Sequence, residues 1–262
     1  MQNTNLLYQA DAFPIFQNRM YNSKEAALDC PRGNIRIVQD LKTGLISNSA
    51  FRPELMTYDE DYENEQAVSE IFQKHLEYIS KIISSCLGTS NIVEVGCGKG
   101  YFLEILVAKG FNTTGFDPTY AGTNQRIKRQ YFGPASFEKA NGLILRHVLE
   151  HIQNPIDFLE KLKHANNGRG KIYIEVPCFD WICSHKDWFD IFYEHVNYFR
   201  LSDFNRIFGE VIESGCIFGG QYLYVVAELG SLKTPVINNL EDRVNFPSDF
   251  TDTIQNRTAI WD

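Results

Sequence analysis

Three glycines at alternate positions, Gly96, Gly98 and Gly100, have the spacing in this sequence that points most directly to ligand chemistry. They follow an apolar stretch of strand type, Ile92 to Val95, and precede a helical spacing of apolar residues that begins at Phe102. A strand, a glycine turn and a helix together form a unit that cradles nucleotides. The first glycine allows the tight turn, the second lets the backbone approach a ligand, and the third lets helix and strand pack together. The stretch predicts a nucleotide-type cofactor at this turn, with Phe102 beside it.

Two acidic residues narrow the choice of cofactor. A second strand, Phe111 to Phe116, ends in Asp117 and is followed by Pro118, and an acid about 20 residues after such a turn can bind ribose hydroxyls. Glu94 stands just before the glycines and favours S-adenosylmethionine over a dinucleotide. The run from Glu94 to Gly100 resembles the first motif of Rossmann-like methyltransferases. This resemblance implies that Glu94 lies near the methionine end of the cofactor, that Asp117 holds the ribose, and that Pro118 lines the same site.

Composition excludes several classes of protein. With 262 residues, 44% of them hydrophobic, the chain can bury a full core in one large domain or in a domain with an attachment. A net charge of −8 gives no electrostatic support for a nucleic-acid partner. No apolar run is long enough to cross a bilayer and no signal-peptide pattern opens the sequence, so we expect a cytoplasmic protein without a membrane partner. The six cysteines include no C-x-x-C pair, which indicates neither a disulfide framework nor a zinc ribbon.

Strands and helices alternate through the central part of the sequence. This pattern predicts a Rossmann-like α/β fold, in which a mostly parallel sheet with an antiparallel last strand carries helices on both faces. The predicted segments are a helix at 66–87, strands at 142–146 and 171–176, and a closing antiparallel pair at 216–218 and 221–227. Ligands bind beyond the carboxyl ends of parallel strands, and the glycine turn, Asp117, Arg146 and the residues after Pro177 all fall on that edge. His75, on the first of these helices, is predicted to be a surface or boundary residue.

The stretch from His147 to His151 spells H-x-x-E-H, a zinc-peptidase pattern. That chemistry needs both histidines one helical turn apart on one helix face, together with a further ligand. Here the stretch begins where an apolar strand ends, and Asn154 and Pro155 start the next helix only afterwards. We therefore expect no metal, and we interpret the stretch as a loop at the cofactor edge. Arg146 or His147 then lies near the methionine moiety, and His151 is structural.

A second candidate site lies in the aromatic-rich region 178–200, where Tyr193, Glu194 and His195 stand together. Ionisable groups in apolar surroundings acquire shifted pKa values and are candidates for acid–base catalysis. The alternative for His195 is a hydrogen-bonded histidine at the edge of the core. The other interpretation is that His195 is a general base, which its position beside Glu194 and after the last parallel strand supports.

The two ends of the chain are predicted to lie outside the central sheet. Residues 1–65 form an N-terminal extension in which two segments, 30–33 and 40–43, have the spacing of zinc-ribbon knuckles but keep only Cys30 of the four ligand positions. Tyr58 and Tyr62 are four residues apart in an acidic stretch, which is either a solvated loop or a helical turn that covers the cofactor. We divide the chain into this extension, a methyltransferase domain at 66–230, and a polar tail or linker at 231–262.

Taken together, these motifs resemble the sugar C-methyltransferases that act on nucleotide-linked keto-deoxyhexoses. The resemblance extends from about residue 13 to residue 230 and is most specific at 193–199, Tyr-Glu-His-Val-Asn-Tyr-Phe. It implies that His195 removes a proton from a carbon next to a ketone, and that Tyr193 and Glu194 position the substrate or assist. Members of this family usually carry four zinc cysteines and a second, C-terminal Rossmann-like domain, and this sequence has neither.

Three hypotheses follow for the function. The first is methyl transfer to carbon of a sugar or a related keto compound, with a nucleotide sugar as the small-molecule partner. The second is methyl transfer to oxygen or nitrogen of a small metabolite. The third is a non-catalytic scaffold that binds S-adenosylmethionine, and an oligomeric assembly stays open in every case.

Overall fold

The structure is a computed structural model of the chain and describes residues 3–17, 19–56, 69–134, 139–237 and 242–252. The helices are α1 (Lys24–Leu28), α2 (Glu70–Leu87), α3 (Tyr101–Ala108), α4 (Pro155–Ala165), α5 (Phe179–His185) and α6 (Leu201–Ile207). The strands are β1 (Thr4–Pro14), β2 (Arg32–Asp40), β3 (Ile46–Asn48), β4 (Ile92–Val95), β5 (Thr113–Phe116), β6 (Ile127–Lys128), β7 (Gly142–Arg146), β8 (Lys171–Pro177), β9 (Asn197–Tyr198), β10 (Val211–Ile217) and β11 (Tyr222–Glu228). None of the described helices is both long and apolar enough to cross a membrane.

A seven-stranded sheet in the order β10-β11-β8-β7-β4-β5-β6 forms the centre of the molecule. The strands β4 to β8 pair in parallel, and β11 and β10 close the sheet in antiparallel orientation. The predicted Rossmann-like α/β fold is confirmed, including the antiparallel last strand. The third parallel strand, which the polar sequence between Thr119 and Asn141 does not reveal, is the two-residue β6.

Helices cover both faces of this sheet, which explains why its inner strands are almost continuously apolar. One core contains the inner faces of α2 and α3 together with Ile92, Ile144 and Tyr173 of the sheet. The opposite core contains α4 and α6 together with Val93 and Leu143. Adjacent residues of β4 therefore enter different cores, and the strand ends are held in fixed register at the edge where ligands bind.

A second, four-stranded antiparallel sheet has the order β1-β2-β3-β9. The strands β2 and β3 form an antiparallel hairpin around Gly44. The last strand of this sheet, β9, comes from the centre of the sequence, so the N-terminal sheet is built partly from the segment that contains the candidate base. The predicted domain boundaries stay predictions.

The second knuckle-spaced segment of the N-terminal sheet is a turn held by a carboxylate. Oδ1 of Asp40 accepts hydrogen bonds from the backbone amides of Lys42 and Thr43, at 2.9 and 2.6 Å. The side chain at the first ligand position of this knuckle therefore stabilises the turn by itself. Cys30, the remaining cysteine of the first knuckle, is a buried free thiol.

The described part of the tail, 242–252, packs onto the N-terminal sheet and so differs from the predicted polar tail or linker. Phe250 is buried, and its ring lies 5.5 Å from that of Tyr8 on β1. The buried side chain of Gln39 also bonds to backbone atoms of Asp242 and Val244. A few aromatic side chains therefore hold this segment in place, although Asn and Asp residues make up much of it.

Candidate active site

The glycine turn joins β4 to α3 at the carboxyl edge of the sheet. Gly96 has φ of +72°, and a Cβ there would lie 2.5 Å from Cγ2 of Val148. Gly98 also has a positive φ, of +53°, but a Cβ there would meet nothing within 4 Å. The backbone at Gly98 therefore faces open space, which is the property that close approach by a ligand requires.

Asp117 follows β5 and is tied to the glycine turn. Its Oδ2 accepts a hydrogen bond from the amide of Gly98 at 2.9 Å, and its Oδ1 accepts bonds from the amide and hydroxyl of Thr119 at 2.8 and 2.7 Å. A carboxylate offers about four lone-pair sites, so these bonds leave capacity for a ligand hydroxyl. Pro118, the next residue, is half-buried beside it.

Glu94 on β4 is buried, and its Oε2 has no hydrogen-bond partner among the described residues. Burial raises the pKa of this carboxyl to about 7, the guanidinium of Arg146 opposes the shift, and the nearby charge of Asp117 adds to it. A buried acceptor without a hydrogen bond costs free energy, so a ligand group that donates to this oxygen would be bound favourably.

Arg146 ends β7 and lies beside Glu175 of the neighbouring parallel strand β8. Its Nε is 3.3 Å from Oε2 of that carboxylate, and its guanidinium carbon is 4.6 Å from the ring centroid of Phe102. Phe102 is only 4% exposed, so it supports Arg146 and has little surface left for a cofactor. The helical period turns this ring towards the core, and its place beside the cofactor stays a prediction.

Glu175 is fully buried and collects four partners. His75 lies 2.9 Å from Oε1 and His147 lies 3.1 Å from the same atom, while the hydroxyl of Tyr173 donates to Oε2 at 2.8 Å. Burial alone would raise the pKa of Glu175, but Arg146 and the two histidines hold it well below its usual value. The prediction of a surface or boundary His75 was wrong, since the ring is buried against this carboxylate.

His147 bridges two buried acids. Its Nδ1 lies 3.3 Å from Oε1 of Glu150, and its Nε2 faces Glu175. Burial would lower the pKa of this imidazole, but these two carboxylates raise it to about 9, so His147 carries a positive charge at neutral pH. Its ring also meets that of Tyr222 at 4.6 Å.

The segment that contains His195 is fastened to the loop after β7 by backbone and side-chain hydrogen bonds. The amide of Val196 donates to the carbonyl of Glu150 at 2.8 Å, and the side chain of Asn197 donates to the carbonyl of Ile152 at 2.5 Å. Nδ1 of His151 donates to the carbonyl of Glu194 at 2.9 Å. The H-x-x-E-H stretch and the Tyr-Glu-His stretch therefore form one unit.

This unit brings Glu150, His151 and His195 together, with one potential ligand atom from each lying within 4.8 Å of the others. Among the described residues neither oxygen of the buried Glu150 has a hydrogen-bond partner, and its ion-pair contact is Nδ1 of His147, which lies 3.3 Å from Oε1. Burial and the neighbouring His151 lower the pKa of His195 to about 3, so its ring is neutral at physiological pH. Nδ1 of His195 donates to the carbonyl of Asp190 at 3.2 Å, which leaves Nε2 with the lone pair.

Glu194 and Tyr193 point away from this cluster towards the N-terminal sheet. Oε2 of Glu194 accepts a hydrogen bond from the amide of Gln17 at 3.0 Å, while its buried Oε1 has no described partner. The hydroxyl of Tyr193 accepts a bond from the amide of Arg52 at 2.8 Å, and its ring contacts Gly33 and Phe51. The structure thus places Tyr193 in contact with the segment around Arg52, and its part in catalysis stays a prediction.

Sequence reasoning missed three residues of this edge, Glu150, Glu175 and Asp190. Glu175 is near the end of β8, and Glu150 and Asp190 lie in short 3-10 helices. Only the register of β7 against β8 and the docking of the two loops reveal the neighbours of these acids. Tyr58 and Tyr62, predicted to cover the cofactor, lie outside the described residues.

Residues 58–211, more than half of the chain, match the family described as "Methyltransferase domain". The chain belongs to this family. The predicted class of enzyme, a methyltransferase that uses S-adenosylmethionine, is thereby confirmed.

Among curated proteins, the chain is similar to the tRNA U34 carboxymethyltransferase of Alteromonas mediterranea, at 28% identity over 117 residues, which are 37% of this chain and 35% of the relative. The aligned part thus spans about a third of the length of that relative. Similar solved structures include the PH0226 protein of Pyrococcus horikoshii OT3, with a TM-score of 0.49 and 13% identity over 66% of this chain and 99% of the other. Another is the plantazolicin methyltransferase BpumL in complex with a monoazolic desmethylPZN analog and SAH, with a TM-score of 0.47 and 16% identity over 60% of this chain and 83% of the other.

Proposed function

We propose that this methyltransferase transfers a methyl group to a carbon next to a ketone in a small molecule, most favourably a nucleotide-linked keto sugar, with His195 as the general base. The observation that carries the proposal is the neutral imidazole of His195 held beside the carboxylate of Glu150 at the carboxyl edge of the sheet. His195 was predicted from the sequence, and Glu150 adds the counter-charge that the sequence did not reveal.

The residues of the glycine turn fit S-adenosylmethionine. Gly98 offers open space beside the turn, and Asp117 keeps lone-pair capacity for ribose hydroxyls. The orphaned oxygen of Glu94 suits the ammonium group of the methionine moiety, which would supply the missing donor. Arg146 and His147 are assigned to the same end, where they carry positive charge next to Glu94 and Glu175. When bound, the cofactor supplies an electrophilic methyl group on a sulfonium.

The base must act because carbon is a poor nucleophile until an adjacent carbonyl stabilises an enolate. Nε2 of His195 would accept the proton as the C–H bond breaks, and the bond's electron pair would be left on the enolate. Bound S-adenosylmethionine would supply the methyl group to that carbon and leave as S-adenosylhomocysteine. A buried base whose pKa is depressed gains too little from protonation unless a negative charge compensates it. The ionised carboxylate of Glu150 opposes the lowering of the His195 pKa without cancelling it. Burial raises the pKa of Glu150 itself, but the neighbouring His147 and the other histidines hold it below its usual value.

The acceptor is assigned from charge and resemblance. The net charge of −8 gives no support for a long polyanionic substrate such as tRNA, although the curated relative acts on tRNA. The stretch from Tyr193 to Phe199 resembles the sugar C-methyltransferases most closely. The bond between Gln17 and Glu194 sets the N-terminal segment against this stretch, so one side of the cluster is closed by the same region that the resemblance includes.

Two other functions stay as alternatives, methyl transfer to oxygen or nitrogen of a small metabolite and a non-catalytic cofactor-binding scaffold. Neither alternative breaks a C–H bond of the acceptor, whereas the proposed function does. Proton removal from carbon is required only by the first function, and it is measurable without methyl transfer.

The test is the exchange of acceptor hydrogen for deuterium. Nucleotide-linked keto-deoxyhexoses are incubated in D₂O with the protein and S-adenosylhomocysteine, and loss of the proton next to the ketone is followed by NMR. We expect catalysed exchange with wild type, and a loss of at least about 100-fold with His195→Ala, in line with the usual contribution of a general base. Methylation that proceeds without exchange and survives His195→Ala would favour oxygen or nitrogen as the acceptor. Binding of S-adenosylhomocysteine by the variant controls for its folding.

A further inference from the structure

Three side chains that could bind a metal ion lie close together, and one of them is the candidate base. They come from two separated parts of the sequence. Glu150 and His151 lie in the short 3-10 helix Leu149–His151, and His195 lies in the loop before β9. Their potential ligand atoms lie within 4.8 Å of one another. In the part of the chain that the structure describes, this is the one group of three or more such side chains close enough to share an ion.

Both histidines are oriented as metal ligands usually are. Nδ1 of His151 bonds to the carbonyl of Glu194, and Nδ1 of His195 bonds to the carbonyl of Asp190. A carbonyl only accepts, so Nδ1 of each ring carries a proton, and Nε2 is the ring nitrogen left to bind an ion. In metal sites, the ring nitrogen that does not bind the ion commonly donates to such a backbone carbonyl, which fixes the tautomer and the orientation of the ring.

The carboxylate of Glu150 provides an independent sign of a missing cation. The residue is 1% exposed, and neither of its oxygens has a hydrogen-bond partner among the described residues. Nδ1 of His147 lies 3.3 Å from Oε1 and holds that oxygen in place, which leaves Oε2 for a further positive centre. A buried carboxylate oxygen without a donor is costly unless a proton or a metal ion completes it.

We infer that Glu150, His151 and His195 form a binding site for one divalent cation of the zinc class. Two imidazole nitrogens and one carboxylate oxygen are a donor set that suits Zn²⁺, and three protein ligands leave the fourth tetrahedral position for water or another ligand. The site differs from the zinc-peptidase pattern of the H-x-x-E-H stretch, because His147 bonds to the acids and His195 supplies the second imidazole.

Tetrahedral ligands at about 2.0–2.2 Å from an ion lie about 3.3–3.6 Å from one another, so ligand atoms within 4.8 Å would have to approach by at most about 1.5 Å. The hydrogen bonds that tie Val196 and Asn197 to the 149–152 loop keep the two halves of the site in position. A preformed arrangement of this kind loses little conformational entropy when the ion binds.

Metal binding and the proposed base function both use the lone pair of the His195 imidazole, so they exclude each other. A lone pair of His195 that is given to a metal cannot accept a proton, so a bound ion stops carbon deprotonation. The metal site itself does not rest on the proposed function, because binding is measured in the absence of substrate and turnover.

The test is calorimetric titration of chelator-treated protein with Zn²⁺ alone, together with visible absorption spectra of the Co²⁺-loaded protein. We expect one ion per chain and a Co²⁺ spectrum of four-coordinate nitrogen and oxygen ligation. Glu150→Gln and His195→Ala should each weaken binding by more than about 10-fold, since even second-shell partners contribute about 10- to 100-fold. The matched control His164→Ala removes an exposed histidine of α4 and should leave the affinity unchanged.

Either of two results overturns the inference. One is Zn²⁺ binding that both cluster variants retain at wild-type affinity while circular dichroism shows them folded. The other is the strong near-ultraviolet charge-transfer absorption of Co²⁺–thiolate bonds, which would locate the ion at one of the six free cysteines. Absence of deuterium exchange in the earlier experiment leaves this result unaffected, so failure of the base function and failure of the metal site are separable.

Discussion

Arg146 and Glu175 are paired in register on the neighbouring parallel strands β7 and β8, and the guanidinium Nε lies 3.3 Å from Oε2 of the carboxylate. The carboxylate is fully buried and also faces His75 and His147. Glu175 is therefore the negative centre around which the positive groups of the cofactor edge are arranged.

Glu175→Gln should destabilise the protein by about 3–5 kcal/mol, because it removes a fully buried charge that pairs with the partly buried Arg146 and His147. Equilibrium urea unfolding measures this loss. The matched control is Glu160→Gln on α4, whose carboxylate is half exposed and pairs with Lys163 at 3.5 Å, and whose loss should cost less than about 1 kcal/mol. Equal effects of the two substitutions would contradict the central place of Glu175.

Gly96→Ala should unfold the glycine turn locally and abolish binding of S-adenosylhomocysteine. The new Cβ would collide with Val148, and the residue would keep a positive φ that costs about 1–2 kcal/mol by itself. Gly110→Ala is the control, because it has φ of +85° but a Cβ there meets nothing within 4 Å. Calorimetry on both variants separates backbone strain from the steric clash, and retained binding by Gly96→Ala would count against the packing of this turn.

Glu94 should make cofactor binding depend on pH. Its carboxyl has a pKa of about 7, so it is neutral below that pH and ionised above it. Only the ionised form pairs with the ammonium of the methionine moiety, so affinity for S-adenosylhomocysteine should rise with pH and level off above about 7. Well below that value the affinity should fall by about tenfold per pH unit.

Glu94→Gln is the control for this pH dependence. The amide keeps the size of the side chain but does not titrate, so the affinity of the variant should be low and nearly constant from about pH 5 to about pH 8. A slope in the variant as steep as that of wild type would assign the pH dependence to another group.

Tyr193→Phe should leave deuterium exchange unchanged and lower the free energy of unfolding by about 1 kcal/mol, the usual value of a hydrogen bond. The hydroxyl bonds to the backbone of Arg52 and fastens the N-terminal sheet to the loop of His195. Exchange rates and urea unfolding measured on the same preparation distinguish this anchoring role from the assisting role predicted from the sequence. A large loss of exchange at unchanged stability would restore the catalytic role.

Much of the edge could be predicted from the sequence because local patterns determine it. The alternation of apolar strands and helices gave the parallel sheet, and the positions of Gly96, Gly98 and Asp117 followed from one turn and one strand end. These residues depend on neighbours that are close in the sequence, where spacing carries the information.

The remaining residues depend on contacts between distant segments, which spacing does not contain. His75 is buried because α2 packs over β8, and Glu150 meets His195 because the loop before β9 docks on the loop after β7. The same docking turns Tyr193 towards Arg52. The contact between the ring of Phe102 and the guanidinium of Arg146 is likewise not contained in the helical period.

The most direct test of the central claim is calorimetric titration of wild type and Asp117→Ala with S-adenosylmethionine, S-adenosylhomocysteine and NAD, with Asp252→Ala as an exposed control. We predict one S-adenosylhomocysteine per chain for wild type and for Asp252→Ala, with no preference for NAD. Loss of the charged acceptor for the ribose should weaken binding to Asp117→Ala by about 10- to 100-fold. Absence of binding to wild type, or a preference for NAD, would contradict the assignment of Glu94 and Asp117 to a methyltransferase cofactor site.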